Sequence, residues 1–362
     1  MLASMPEEPH TYTEHNRSFR THSGYLAAFC YLAFDGRRFG ALDYHLGKLA
    51  ERSLSVYCDQ IKPAKTNVDK EAVGGCLYRA WGTETILCTT AELSPDADLL
   101  RLALAWGAVQ AYYACYGAAQ AVLVAEGKPR SQQHNTTQNQ VADLWAYRRF
   151  SLPPWSLAAT EPGARLACPA GFLNGPDRPL DLSLHTWTVL ERGQEWDRAA
   201  KALYTTREDR IADAIRQARE RKRKERARAW RQEEELRLAA GKRPRNAPAS
   251  HLPRLTSEEK ASVRSQVRAF TVLDYLYRLR VKANYVDDEL FSQGPVNDAD
   301  AEEFATRIQH IVAATLLVHE LRLGKLLGPK WVLSQADMWL RRNIARSDAH
   351  GLAARRQLLV NA

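Results

Sequence analysis

The chain has 362 residues, 45 % of them apolar, which suffices for a sizeable globular core. Its formal charge is +9. No apolar run approaches the ~18–20 residues that span a bilayer, and Met1 to Arg20 lacks the apolar centre of a secretory signal, so the expectation is a cytoplasmic protein without membrane contact.

Residues 1–20 are polar and read as loosely attached. From 23 to 60 the pattern is helical: Tyr25, Leu26, Phe29, Leu32 and Ala33 share one face. Asp35-Gly36 breaks it, and Leu42, Leu46, Leu49 and Leu54 carry a second helix. Residues 61–93 are ambiguous, with Thr85 to Thr90 fitting either a strand or a helical turn. Ser94-Pro95-Asp96 then opens a strong helix, with serine as cap, proline in the first turn and aspartate at the positive end of the dipole. It ends at Gly127, with Pro129 beyond. Its interior is rich in Ala and Gly, which lets another helix come close, and Tyr112, Tyr113 and Tyr116 interrupt that smooth surface. A shorter helix is expected over 137–149.

Pro153-Pro154, Pro162-Gly163, Pro169, Gly175-Pro176 and Pro179 mark 151–205 as a long loop region anchored by Trp155, Trp187 and Trp196. Residues 206–240 return to strong helix formers, and Gly241 ends that helix. Thr256 and Glu259 form a capping box for a helix carrying Val263, Val267, Phe270, Leu273, Leu276 and Leu279. A last strong helix begins near Asp298, with an apolar stripe of Phe304, Ile308, Ile311, Val312, Thr315 and Val318, and closes at Gly324. One or two short helices fill 331–362. The expected fold class is all-α.

Charge is concentrated rather than spread. Arg207 to Arg245 holds 15 Lys/Arg against 8 Asp/Glu. A local basic surface points to a polyanion partner. The candidate contacts are Arg219, Arg221, Lys222, Arg223, Lys224, Arg226, Arg228 and Arg231, with Trp230 available for stacking. A solvated arm held by charge pairs, or one that binds an acidic protein, is the competing reading.

The six cysteines form no C-x-x-C pair and read as reduced thiols, most in apolar surroundings, so no metal is expected. No cofactor is expected either: there is no phosphate loop, no dinucleotide fingerprint, no G-x-S-x-G elbow and no H-E-x-x-H.

The run Ala111-Tyr112-Tyr113-Ala114-Cys115-Tyr116-Gly117-Ala118-Ala119, followed by Gly127 and His134, resembles a helix of the HEPN superfamily. The later run Leu273 to Tyr285 resembles that family's third long helix, and Asp298 to Arg322 its fourth. The resemblance implies a HEPN-like bundle made of 95–150 and 256–325. It leaves 1–94 as an N-terminal helical region, 151–255 as an insertion (a Pro/Gly-rich loop, then a basic helical arm) and 326–362 as C-terminal helices. It further implies a homodimer or a partner protein, RNA before DNA as ligand, and a prokaryotic defence or stress setting.

Many HEPN proteins resemble metal-independent endoribonucleases in which an arginine is followed, after four to six intervening residues, by a histidine. The His takes the ribose 2′-hydroxyl proton and the Arg stabilises the phosphate. Here Arg280 holds the arginine place, but Tyr285 and its two successors stand where the histidine belongs. The catalytic candidates are therefore Arg280, Tyr285 and His134, with His22, five residues after Arg17, in reserve. Arg278 and Arg280 have Asp287, Asp288 and Glu289 as competing partners, and His319-Glu320 reads as a buried, locally paired couple.

Overall fold

Thr13 opens the first helix through a reciprocal pair of bonds: its Oγ1 accepts from the Asn16 N–H (3.2 Å) and its own N–H donates to Asn16 Oδ1 (2.9 Å). The computed structural model describes residues 13–36, 42–58, 60–64, 67–91, 97–146, 152–160, 195–246, 251–286, 289–343 and 351–360. Within them the chain is all-α. The helices are α1 (Glu14–Ala33), α2 (Leu42–Cys58), α3 (Lys70–Ala91), α4 (Ala97–Ala125), α5 (His134–Trp145), α6 (Glu195–Ala239), α7 (Ser257–Ser265), α8 (Val272–Val281), α9 (Glu289–Ser292), α10 (Asp298–Leu327), α11 (Pro329–Arg342) and α12 (Leu352–Leu359). A π-helical turn, Lys282–Val286, follows α8. No described helix is long and apolar enough to cross a membrane.

The centre of the bundle is α10. From Ile311 to Gly324 every residue is buried, so the expected stripe is a helix buried on all sides. It runs three residues past Gly324, and Gly328, at φ 91°, ends it. Around it pack α1, α2, α3, α4 and α11, and the ambiguous stretch before residue 93 proves to be helix α3. The small residues of α4 act as expected. A Cβ on Gly117 would lie 3.2 Å from the Cys76 carbonyl oxygen and from the Ala80 Cβ, so α3 and α4 meet backbone to backbone.

Charge is also built into this core. Arg355 on α12 is fully buried and donates to Glu84 on α3 (Nη2–Oε2 2.8 Å) and to Glu320 on α10 (Nε–Oε2 2.9 Å). Trp81 Nε1 donates to the same Glu320 at 2.8 Å. Buried Arg322 bonds to Glu126 (Nε–Oε1 3.1 Å), and its guanidinium lies 5.1 Å from the Trp145 ring.

Several boundaries differ from expectation for identifiable reasons. Helix α1 starts at Glu14 because Thr13 caps it, so 14–20 is ordered and Phe19 is buried. Its break falls where expected, at Asp35 and Gly36, both at positive φ. Helix α6 begins at Glu195, inside the expected loop, because Ala199, Ala200, Ala202 and Leu203 bury against the bundle. The helix opened by Thr256 stops at Ser265 instead of continuing to Leu279. Arg207 of α6 takes the carbonyls of Arg264, Val267 and Arg268 (3.0–3.3 Å), and Phe270 pairs with Ala159 in an antiparallel bridge. The Thr271 N–H then donates to Asp274 Oδ2 at 2.7 Å and starts α8. Gly127 and Gly241 end α4 and α6 at positive φ, as expected. Ser94-Pro95-Asp96, the part of the expected loop region over 161–194 with Trp187 and Cys168, and Asp287 and Asp288 lie outside the described residues. Cys30, Cys76 and Cys115 are buried, Cys88 is half-buried and Cys58 is exposed.

Candidate nucleic-acid interface

Helices α5, α6, α7 and α8 enclose a groove of about 870 Å³. Six cations and three carboxylates line it. Three of the cations are matched: Arg278 by Asp209 (2.6 Å), Arg216 by Asp213 (2.7 Å) and Arg268 by Asp274. The other three, Arg210, Arg221 and Lys282, have no ion pair among the described residues. The groove therefore carries uncompensated positive charge beside Asn135, Gln138 and Asn139 of α5.

At one side of the groove stands Arg280, in the last turn of α8. Its guanidinium carbon lies 5.1 Å from the Tyr113 ring centroid, 5.5 Å from Tyr277, 5.8 Å from Tyr112 and 5.9 Å from Tyr285. The rings come from the middle of α4, from α8 three residues before Arg280, and from the π-helical turn, which carries Tyr285 outward. Cation–π attraction holds such a guanidinium. It does not neutralise it: among the described residues Arg280 has no ion pair, and its Nε is buried without a hydrogen-bond partner.

His134, the first residue of α5, packs against Tyr112, Tyr113, Tyr116 and Tyr277. Its Nδ1 shares a 2.8 Å hydrogen bond with the Tyr112 hydroxyl. Burial, then the nearby Arg280 charge, hold its pKa below the ordinary histidine value, so the ring is neutral at neutral pH. Burial pushes the Tyr112 hydroxyl far up, so it stays protonated. The three catalytic candidates are thus brought together. Arg280 and His134 share the rings of Tyr112 and Tyr277, and Tyr285 closes the cage from outside.

The basic arm is α6 beyond residue 211. The whole helix, at 1.5 Å per residue, is about 68 Å long. Its distal half is backed by the returning chain. Arg219 donates to the carbonyls of Leu252 (3.1 Å) and Pro253 (3.0 Å), Lys222 pairs with Glu259 (2.5 Å), and Arg245 reaches back to Glu234 (2.9 Å). Arg223 pairs with Glu220 (2.9 Å). These contacts hold the arm in place and occupy three of the candidate cations. The remainder are sorted by helical period. Arg210, Gln217, Arg221, Lys224, Arg228 and Arg231, at steps of seven, four, three, four and three residues, form one continuous face. That face begins as the groove wall at Arg210 and runs outward along the arm. Arg221, Lys224, Arg228 and Arg231 are exposed along it. Arg226 is exposed on another side, and Trp230 is half-buried nine residues after Arg221, turned away from this face.

The reserve histidine is not part of the site. His22 is buried, its Nδ1 shares a 3.2 Å hydrogen bond with the Tyr275 hydroxyl, and burial followed by the Arg278 charge lowers its pKa to about 3. His319 is buried and paired locally, its Nδ1 on the Thr315 carbonyl (2.7 Å), whereas Glu320 pairs with the distant Trp81 and Arg355 rather than with His319. Among the described residues no three His, Cys, Asp or Glu side chains cluster as metal ligands.

Sequence reasoning missed the cage as a unit. Its signal is the helical spacing of Tyr112, Tyr113 and Tyr116 on one helix and of Tyr277 and Arg280 on another. It also missed Arg210 and Lys282, which gain meaning only from the groove. Comparison of the chain with family models, curated proteins and solved structures finds no match.

Proposed function

We propose that this protein binds single-stranded nucleic acid, RNA before DNA, along the face of α6 that leads into the groove and on to Arg280. The observation that carries this reading is the guanidinium of Arg280, caged by four tyrosines and unmatched by a carboxylate among the described residues. A phosphate supplies the missing anion, and flanking rings suit unpaired bases. Along α6 the exposed cations give the sequence-independent part of the affinity. A HEPN-like bundle, a defence or stress setting and a preference for RNA belong to this proposal through the resemblance of the Tyr112 and Leu273 segments to that family.

A second reading, metal-independent endoribonuclease, is favoured by one specific feature: a neutral histidine beside an unmatched arginine. His134 would accept the proton of a ribose 2′-hydroxyl. That oxygen attacks the adjacent phosphorus, the 5′-oxygen leaves and takes up a proton from water, and Arg280 stabilises the negative charge in between. The products are a 2′,3′-cyclic phosphate and a 5′-hydroxyl.

Labelled single-stranded RNA incubated with the protein in chelator separates the readings, with Arg280→Ala and His134→Ala run beside wild type. Intact RNA retained at low salt, and released by Arg280→Ala, supports binding. Cleavage abolished by either substitution supports the ribonuclease. Neither retention nor cleavage refutes both and leaves a scaffold whose arm binds an acidic protein.

A further inference from the structure

A second cavity, of about 620 Å³, is lined by Leu102, Ala105, Trp106, Ala283, Asn284, Tyr285 and Ser292. Three of its apolar side chains face solvent: Trp106 is 63 % exposed, Leu102 64 % and Tyr285 73 %. Large rings left in water beside a charged site mark a place where something flat and apolar binds. The two cavities are linked through Arg280, since Tyr285 contacts its guanidinium and lines the aromatic cavity, while Tyr277 contacts it and lines the basic groove.

We infer that this aromatic pocket is a nucleobase subsite: an unpaired base stacks against Trp106 and Tyr285 while its phosphate meets Arg280. This deepens the proposed function and rests on it. Charge selects the occupant. The guanidinium of Arg280 lies 5.9 Å from the Tyr285 ring on the pocket wall, so an anion-bearing aromatic fits better than a neutral apolar segment of a protein. A base in a duplex has both faces covered, so the pocket takes single strands only. The Asn284 amide, on the pocket wall, carries both a donor and an acceptor for a base edge. The π-helical turn is what makes the subsite. It sends Ala283 into the core and leaves Asn284 and Tyr285 exposed, one turn beyond the residue that holds the phosphate.

The test compares two chains of equal charge: a single-stranded RNA of about 12 nucleotides, within the span of one single-strand groove, and a base-free chain of the same number of tetrahydrofuran-phosphate units. Wild type binds the RNA about tenfold more tightly, the contribution of one stacked base. Trp106→Leu removes that advantage without changing affinity for the base-free chain, and Trp106→Phe, which keeps a flat ring, retains most of it. Trp106 is exposed, so both variants fold, and circular dichroism checks this. Equal binding of the two chains by wild type overturns the subsite and leaves the basic face standing. Binding of neither overturns the subsite and the proposed function together. Light scattering that shows a dimer, lost in Trp106→Leu with RNA affinity unchanged, assigns the pocket to a second copy of the chain and also overturns it.

Discussion

The imidazole of His134 and the hydroxyl of Tyr112 share a 2.8 Å hydrogen bond, inside a ring of tyrosines that also surrounds Arg280. Tyr112 is thus one of the contacts, with Tyr277, through which the first residue of α5 and the last turn of α8 are joined. Burial lowers the His134 pKa first, and the Arg280 charge adds to it. Arg280→Gln removes the second cause and leaves the first. The imidazole then titrates at a higher pH than in wild type, still below its ordinary value. Side-chain chemical shifts followed against pH measure this, and an unchanged midpoint would show that Arg280 does not reach His134.

Two other histidines contribute to the acid dependence of stability. Burial holds His22 at about 3 and His319 at about 4, against an ordinary value of 6.5. In both cases the folded pKa is the lower one, so between these values the unfolded chain binds more protons than the fold. Their contribution is complete above pH 6.5 and is lost as pH falls. The slope is about 1.4 kcal/mol per pH unit for each histidine. Chemical denaturation at pH 7 and pH 5 reads the loss. His319→Gln makes the dependence shallower, and a slope equal to that of wild type would refute the assignment.

Arg355 ties the short helix α12 to α3 and α10 through Glu84 and Glu320. Arg355→Met leaves two carboxylates buried without their cation. Removing one partner of a buried charged group costs about 3–5 kcal/mol. Urea unfolding of the variant measures this, and a loss below about 1 kcal/mol would mean that the two glutamates find other partners.

Gly117 sits where α3 and α4 touch. Gly117→Leu drives a branched side chain into the Cys76 carbonyl and the Ala80 methyl, and overpacking of this kind costs about 1–3 kcal/mol. The same substitution at Gly24, where a Cβ meets nothing within 4 Å, is the control. Comparable thermal unfolding of the two variants would contradict the close approach of the helices.

Most helices were legible in the sequence because periodicity and caps agree. Thr256 with Glu259, Gly127 and Gly241 each mark a real terminus. The split between α7 and α8 was not, because it depends on Arg207, some sixty residues away, reaching the carbonyls between them. The local signal that was available is Thr271-x-x-Asp274, a second capping box inside an apolar run. The arm was legible as charge but not as surface. Composition counts Arg219, Lys222 and Arg223 equally with Arg221 and Lys224, yet the first three are held by carbonyls and carboxylates. Arg280 and His134 were chosen separately, and their meeting across Tyr112 and Tyr277 is a tertiary fact that no spacing in the chain encodes.

The central claim is that one face of α6 guides a single strand to Arg280. Its most direct test is fluorescence anisotropy of labelled single-stranded RNA over graded salt. One variant changes Arg221, Lys224, Arg228 and Arg231 together to Gln; another makes four equal changes off that face, at Arg226, Lys242, Arg243 and Arg254. If the face guides the strand, the first variant loses affinity at every salt concentration. Its slope of log affinity against log salt is shallower by about 3, as four lost phosphate contacts on a single strand require, while the second variant stays near wild type. Equal losses in both variants, or none in the first, would contradict the claim.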